Sequence, residues 1–172
     1  SEQGKVAIWL EERTDRVSLV RSGSSEPQRL GAVHGARAVD IDDAATIVVT
    51  GREHDVLVLD LGLHERQRWG GLPGPVVDVS VRGDGTLVAA GLRDGSVFVG
   101  RVGDPEPLAR LSGHDTRVAS VEFVGEALLS AGWDHQVRRW ALGPLLAPTA
   151  TLRQAAARWG EPPSEVRALL EP

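Results

Sequence analysis

Apolar and polar residues alternate over short stretches along most of this chain, and turn residues separate the stretches. Alternation is plain across 118–123, and apolar residues fill 127–129. A period of two is the signature of half-buried β-strands, and no stretch before residue 150 keeps the 3.6-residue period of a helix. Asp-Gly pairs between the runs mark hairpins. One unit reads as strands at about 76–81, 86–91, 96–102 and 107–111, with turns at Arg82-Gly83-Asp84-Gly85 and Arg93-Asp94-Gly95. The unit before it reads 37–42, 46–51, 55–61 and 66–70, the register of its first strand open by two residues. The unit after it reads 117–123, 127–132, 136–141 and 148–152.

The units repeat. His34 and His114 are 80 positions apart, and the same shift sets Arg37 on Arg117, Ile41 on Val121 and Thr50 on Ser130. A weaker echo at 40 sets Thr50 on Ala90 and His54 on Asp94. A period of about 40 residues is that of four-stranded propeller blades. By the longer shift, Lys5–Glu11, Arg16–Arg21 and Pro27–Ala32 are the second, third and fourth strands of a blade with no first strand. The tail differs: Leu152, Ala155, Ala156 and Trp159 share one face of a short helix. Gly160 ends that helix, and Ser164 caps a second turn carrying Val166, Leu169 and Leu170.

Residues 113–140, GHDTRVASVEFVGEALLSAGWDHQVRRW, carry the most specific pattern. They resemble a WD repeat, and by extension the chain resembles the WD-repeat β-propeller family. The resemblance implies that His114, Ser130, Asp134 and Trp140 form a structural hydrogen-bonded tetrad. Their Ser, His and Asp are also the residue types of a hydrolase triad, but nothing suggests an oxyanion hole or a cleft beside them. The unit at 34–72 departs from the pattern, with His34, Thr50 and His54. The middle unit has Ala90, Asp94 and Gly100. The expected fold is therefore all-β: propeller blades of four antiparallel strands in an incomplete ring, with a short helical C-terminal tail. The expected domains are a partial propeller over 1–152 and a tail over 153–172. The blades fall at about 3–33, 34–72, 73–112 and 113–152, the first lacking its inner strand.

Composition narrows the chemistry. A length of 172 residues suits one well-cored domain, and a net charge of −5 does not favour nucleic acid or an anionic membrane. The chain has no cysteine, which excludes disulfides and thiolate metal sites and fits a reducing compartment. No apolar run is of membrane-spanning length and no export signal is visible, so the expectation is cytoplasmic. The histidines 34, 54, 64, 114 and 135 lack zinc-type spacing, and Gly70-Gly71-Leu72-Pro73-Gly74 lacks the Lys-Ser/Thr of a phosphate loop. No metal, cofactor or catalytic residue is expected.

Function is then expected on the rims. One face gathers Arg13, Arg37, Arg52, Arg93 and Arg117 with Trp133, and Arg and Trp are common interface anchors. The other gathers Asp42, Asp43, Asp84, Asp104, Glu106 and Glu126. Glu11, Glu12, Asp15, Glu53 and Asp94 interleave with the arginines, so ordinary solvated loops are the plain alternative. Closed propellers have about four to eight blades. The chain is thus expected to be the C-terminal part of a longer propeller. It could instead pair with a second copy, or close on itself through its tail.

The family resemblance implies a non-catalytic protein-interaction or sensor scaffold, of bacterial signalling or defence type. Its partner is a protein or the missing N-terminal half of the propeller. The alternatives are a lactonase-like metal-dependent propeller enzyme, drawing on His34, Asp40, Asp78 and His114, and a structural ring-completing element.

Overall fold

The computed structural model describes residues 6–11, 16–21 and 28–143. Four antiparallel sheets follow one another along the chain. The first holds β1 (Val6–Glu11), β2 (Arg16–Arg21) and β3 (Gln28–Ala32). The second holds β4 (Ala36–Ile41), β5 (Ile47–Arg52), β6 (Asp55–Asp60) and β7 (Glu65–Trp69). The third holds β8 (Val76–Val81), β9 (Leu87–Leu92), β10 (Ser96–Arg101) and β11 (Pro107–Ser112). The fourth holds β12 (Val118–Val124), β13 (Ala127–Gly132) and β14 (Val137–Ala141). Apart from the last residue of β14, all belong to the first of two compact units, Ser1–Trp140; the second is Ala141–Pro172. The fourth strand expected near 148–152, the helical tail and Arg13 lie outside the described residues.

Within each sheet consecutive strands pair in order, and the first strand of one sheet lies beside the first strand of the next, β4 by β8 and β8 by β12. These are propeller blades of the type the alternation predicts. Valine and leucine runs such as VVDVSV and LVAAGL are buried on both faces in the third blade, because a neighbouring blade covers each side. Gly95 turns β9 into β10 at φ +89°, where its missing side chain also leaves room for the His114 and Thr116 carbonyls of the next blade.

The seams between blades carry the core. Between the second and third blades, Val49, Val56 and Val58 pack with Val76, Val79 and Phe98. Each such buried side chain contributes about 1.5–3 kcal/mol. Gly51 is the closest approach: a Cβ there would come within 2.2 Å of Val76 Cγ1. At the outer end the Trp69 and Phe98 rings meet at 5.4 Å between centroids, and the Trp69 indole N–H donates to the Asp104 carbonyl at 3.2 Å. Gly100 is required there, because Trp69 Cζ2 would lie 2.7 Å from a Cβ. At the inner end Asp40 Oδ2 accepts from the Val81 amide at 2.8 Å, while Oδ1 accepts from its neighbour Ile41 at 2.8 Å.

The next seam repeats the plan. Asp78 accepts from the Val121 amide at 2.9 Å, Ser80 Oγ accepts from the Phe123 amide at 3.3 Å, and Val118 sits over Gly91. The first seam uses the same plan with sizes exchanged. Leu10 stands opposite Val17 where Gly51 stands opposite Val56 and Gly91 opposite Val97. The inner strand that meets it begins with Ala36 instead of a valine, and Leu10 packs into the cluster holding Ala36, Val48 and Leu57.

Asp42, expected on an acidic rim, is buried. Its carboxylate instead ties the β4–β5 turn by accepting from the Thr46 and Ile47 amides at 2.7 and 2.8 Å and from the Thr46 hydroxyl at 2.7 Å. A side chain added at a seam glycine has nowhere to go but into a buried valine. Gly91→Ala is expected to destabilise the protein by about 1–3 kcal/mol, the range for overpacked cores, read as a lower urea midpoint. An unchanged midpoint would show the seam to be looser than described.

Candidate functional site

The fourth blade holds a continuous polar chain. The Trp140 indole N–H donates to Ser130 Oγ at 2.9 Å, and Ser130 Oγ lies 2.7 Å from His114 Nε2. His114 Nδ1 lies 3.0 and 2.9 Å from the two Asp134 carboxylate oxygens. With the proton on Nδ1, each donor meets one acceptor: indole to hydroxyl, hydroxyl to imidazole, imidazole to carboxylate. Asp134 also accepts from the Asp115 and Gln136 amides at 3.3 and 3.1 Å. The chain thus joins the loop before β12 to β13, the β13–β14 turn and β14. Gly132 makes room for it, since a Cβ there would lie 2.4 Å from both His114 Nδ1 and Asp134 Oδ1. His114 and Ser130 are buried, and the Ser130 hydroxyl has both its neighbours inside the chain, with no open space for a substrate carbonyl. The triad-like residue types therefore serve to lock strands.

The second and third blades lack this lock. Thr50 donates instead to the Ala38 carbonyl at 2.9 Å, His34 is exposed, and His54 Nδ1 donates to the Leu72 carbonyl at 2.7 Å. Asp94 accepts from the Ser96 amide and hydroxyl at 3.0 and 2.6 Å and from Arg110 at 2.7 Å. Asp40 and Asp78, whose direction the alternation leaves open, are spent on the amides of the following blade. A missed signal was there to read: an Asp within an otherwise apolar inner strand needs a buried donor.

The rim residues sort into two kinds. Arg117 and Trp133 come together: the Arg117 guanidinium carbon lies 3.4 Å from the centroid of the Trp133 ring, a cation–π stack. The stack is fixed from below by the Trp133 amide donating to the Arg117 carbonyl at 3.0 Å. Trp133 is 61% exposed, and Arg117 Nε is covered with no acceptor among the described residues. Arg37 is not part of this pair; it bridges to Glu53 at 3.0 Å on an open surface. Arg93 is exposed in the β9–β10 turn at the position Trp133 holds in the next blade, and Arg52 is half-buried at the end of β5.

At the opposite end of the inner strands an open cavity of about 360 Å³ is lined by Asp40, Asp43, Ser80, Arg82 and Glu122 among others. Burial pushes the Asp40 carboxyl up, and the amide and hydroxyl donors around it recover only part of the shift. Among the described residues no group of three or more His, Cys, Asp or Glu side chains is placed to hold a metal ion. No helix among them is long and apolar enough to cross a membrane.

The four sheets are propeller blades, and the fourth, with its tetrad, has the form of a WD repeat. Residues 105–141 match the family model described as "WD domain, G-beta repeat", a stretch that holds β11 of the third blade, β12–β14 of the fourth and the tetrad. A chain of the solved structure described as "Crystal Structure of Mitotic Checkpoint Complex" is 19% identical with a TM-score of 0.67 over 79% of this chain. The match spans 43% of that chain, so this sequence corresponds to under half its length. No curated protein matches.

Two outcomes follow for the tetrad. Ser130→Ala leaves the imidazole and the indole without their shared partner, and stability is expected to fall by about 1–3 kcal/mol in urea denaturation. Burial pushes the Asp134 carboxyl up, but the hydrogen bonds from His114 and two amides outweigh it and hold it below the ordinary 3.8. Its contribution is therefore complete above pH 4 to 5 and is lost as pH falls through the lowered folded value. Between pH 5 and 3 the wild type is expected to lose more stability than Asp134→Asn. Parallel losses would remove Asp134 from the acid response.

Proposed function

We propose that the chain is a protein-interaction scaffold, and that its binding surface is the loop face centred on Arg117 and Trp133. The observation that carries this reading is the exposed stack itself. A tryptophan 61% open to solvent, held rigid by a guanidinium and a backbone hydrogen bond, offers a large contact area with little entropy left to lose on binding. Arg37, Arg52 and Arg93 stand on the same loop face, because the second-to-third strand turns and the approaches to the inner strands all lie at one end of antiparallel blades. Arginines around an aromatic centre, interleaved with Glu53 and Asp94, suit an acidic or extended polar protein segment. Arg13 is placed on this rim by the repeat register alone.

A larger bacterial signalling or defence protein is the setting we favour, with the remainder of the propeller preceding this segment and the whole in the cytoplasm. The chemistry favours a non-catalytic role, since the Ser, His and Asp of the fourth blade are consumed by one another.

A random peptide library displayed against the chain tests the reading. Enriched sequences are expected to be acidic, and Trp133→Ala or Arg117→Ala is expected to weaken their binding at least tenfold without unfolding the chain. Peptides indifferent to both substitutions, or no enrichment at all, would move the binding surface elsewhere.

A further inference from the structure

The face of the fourth blade that points away from the third differs from the matching faces of the second and third blades. Val137 stands opposite Ala131, as Val97 stands opposite Gly91 and Val56 opposite Gly51. Val56 and Val97 are 0% exposed, because the next blade covers them, whereas Val137 is 73% exposed. The inner-strand positions match as well. Ser120 occupies the place of Asp78, and Glu122 the place of Asp40 and Ser80, whose side chains accept amides from the following inner strand. Both Ser120 and Glu122 are exposed.

We infer that this face is a docking seam for one further propeller blade, supplied by a polypeptide stretch outside this sequence, whose inner strand begins with a residue smaller than valine. Continuity with the seams already formed carries the argument. Each seam matches one residue on the leaving blade to one on the arriving strand by size. Gly51 meets Val76 and Gly91 meets Val118, in both cases so closely that a Cβ would fall within 2.5 Å of the valine. Where the leaving residue is Leu10, the arriving strand begins with Ala36. Ala131 has the Cβ that Gly51 and Gly91 lack, so a valine cannot settle over it as Val76 and Val118 do. Glycine, alanine or serine can. Ser120 and Glu122 then accept amides of the arriving strand, as Asp78, Asp40 and Ser80 do.

A second copy of this chain is a poor occupant. Its one described inner strand that begins with a small residue is β4, and the apolar side chains of the first blade already cover it. The seam is independent of the loop-face reading, because Ala131 and Val137 lie on the blade face and not on the rim.

The size rule is testable in one molecule. The full chain is extended after Pro172 by a flexible linker and a second copy of residues 34–72, whose inner strand begins with Ala36. A sister fusion carries A36V in the added copy. Because the chain has no cysteine, V137C gives a single thiol whose maleimide labelling rate reports on the face. Labelling is expected to slow at least tenfold in the Ala36 fusion relative to the unfused chain. It should stay fast in the A36V fusion and slow again when A131G is added to that fusion. Equal rates in all the proteins would overturn the seam, and equal protection by both added blades would overturn the size rule. Slow labelling of the unfused chain at every concentration would show the face already covered by the chain itself. Protection that rises with its concentration would assign the face to a second copy. Either would overturn the proposal.

Discussion

A valine methyl group resting on a glycine holds this structure together. A single blade is a thin sheet with two apolar faces, and it becomes stable only when a neighbour covers each face. The cover must come close, because protein interiors are packed without gaps. At Gly51 and Gly91 it comes so close that no side chain fits between the backbone of β5 or β9 and Val76 or Val118. This contact sets how far apart the blades stand. The spacing in turn allows Asp40 and Asp78 to reach the amides of the next inner strand, and Trp69 to reach Phe98 and the Asp104 carbonyl.

Polar groups in the described blades are mostly consumed by this architecture. The carboxylates of the inner strands accept buried amides, and Asp42 ties its own turn. In the fourth blade the tetrad replaces part of the apolar packing with a directional lock, in which every hydrogen has one acceptor. Such a chain is worth its desolvation cost only when complete; the third blade has Ala90 and Gly100 in place of Ser130 and Trp140, and the Asp94 it keeps ties its own turn instead. Among the described residues, the loop face, where Arg117 and Trp133 hold each other in an exposed position, and the exposed face of β13 and β14 lie outside these uses.

Among the described residues the strands, their order and their turns were legible in the sequence to within one residue, because alternation and Asp-Gly turns are local signals. The tetrad was legible through its spacing and the family resemblance. Two features were not. Asp42 reads as a surface charge in a turn but is buried, since only the folded turn brings the Thr46 and Ile47 amides around it. The stack of Arg117 on Trp133 joins residues 16 positions apart, and nothing in their separation along the chain implies a 3.4 Å contact.

By itself the sequence determined the blade: a strand period of two, a unit period of about 40, and which residues could be buried. It did so because hydrogen-bonded hairpins and alternating burial depend on neighbours along the chain. Only the tertiary structure decided what each blade does to the next. Gly51 and Gly91 look like ordinary strand glycines until Val76 and Val118 are seen above them. Ala131 looks like a conservative replacement until its Cβ is set in the same place. Size matching across a seam involves residues 25 or more positions apart, and it exists only once two blades have met face to face.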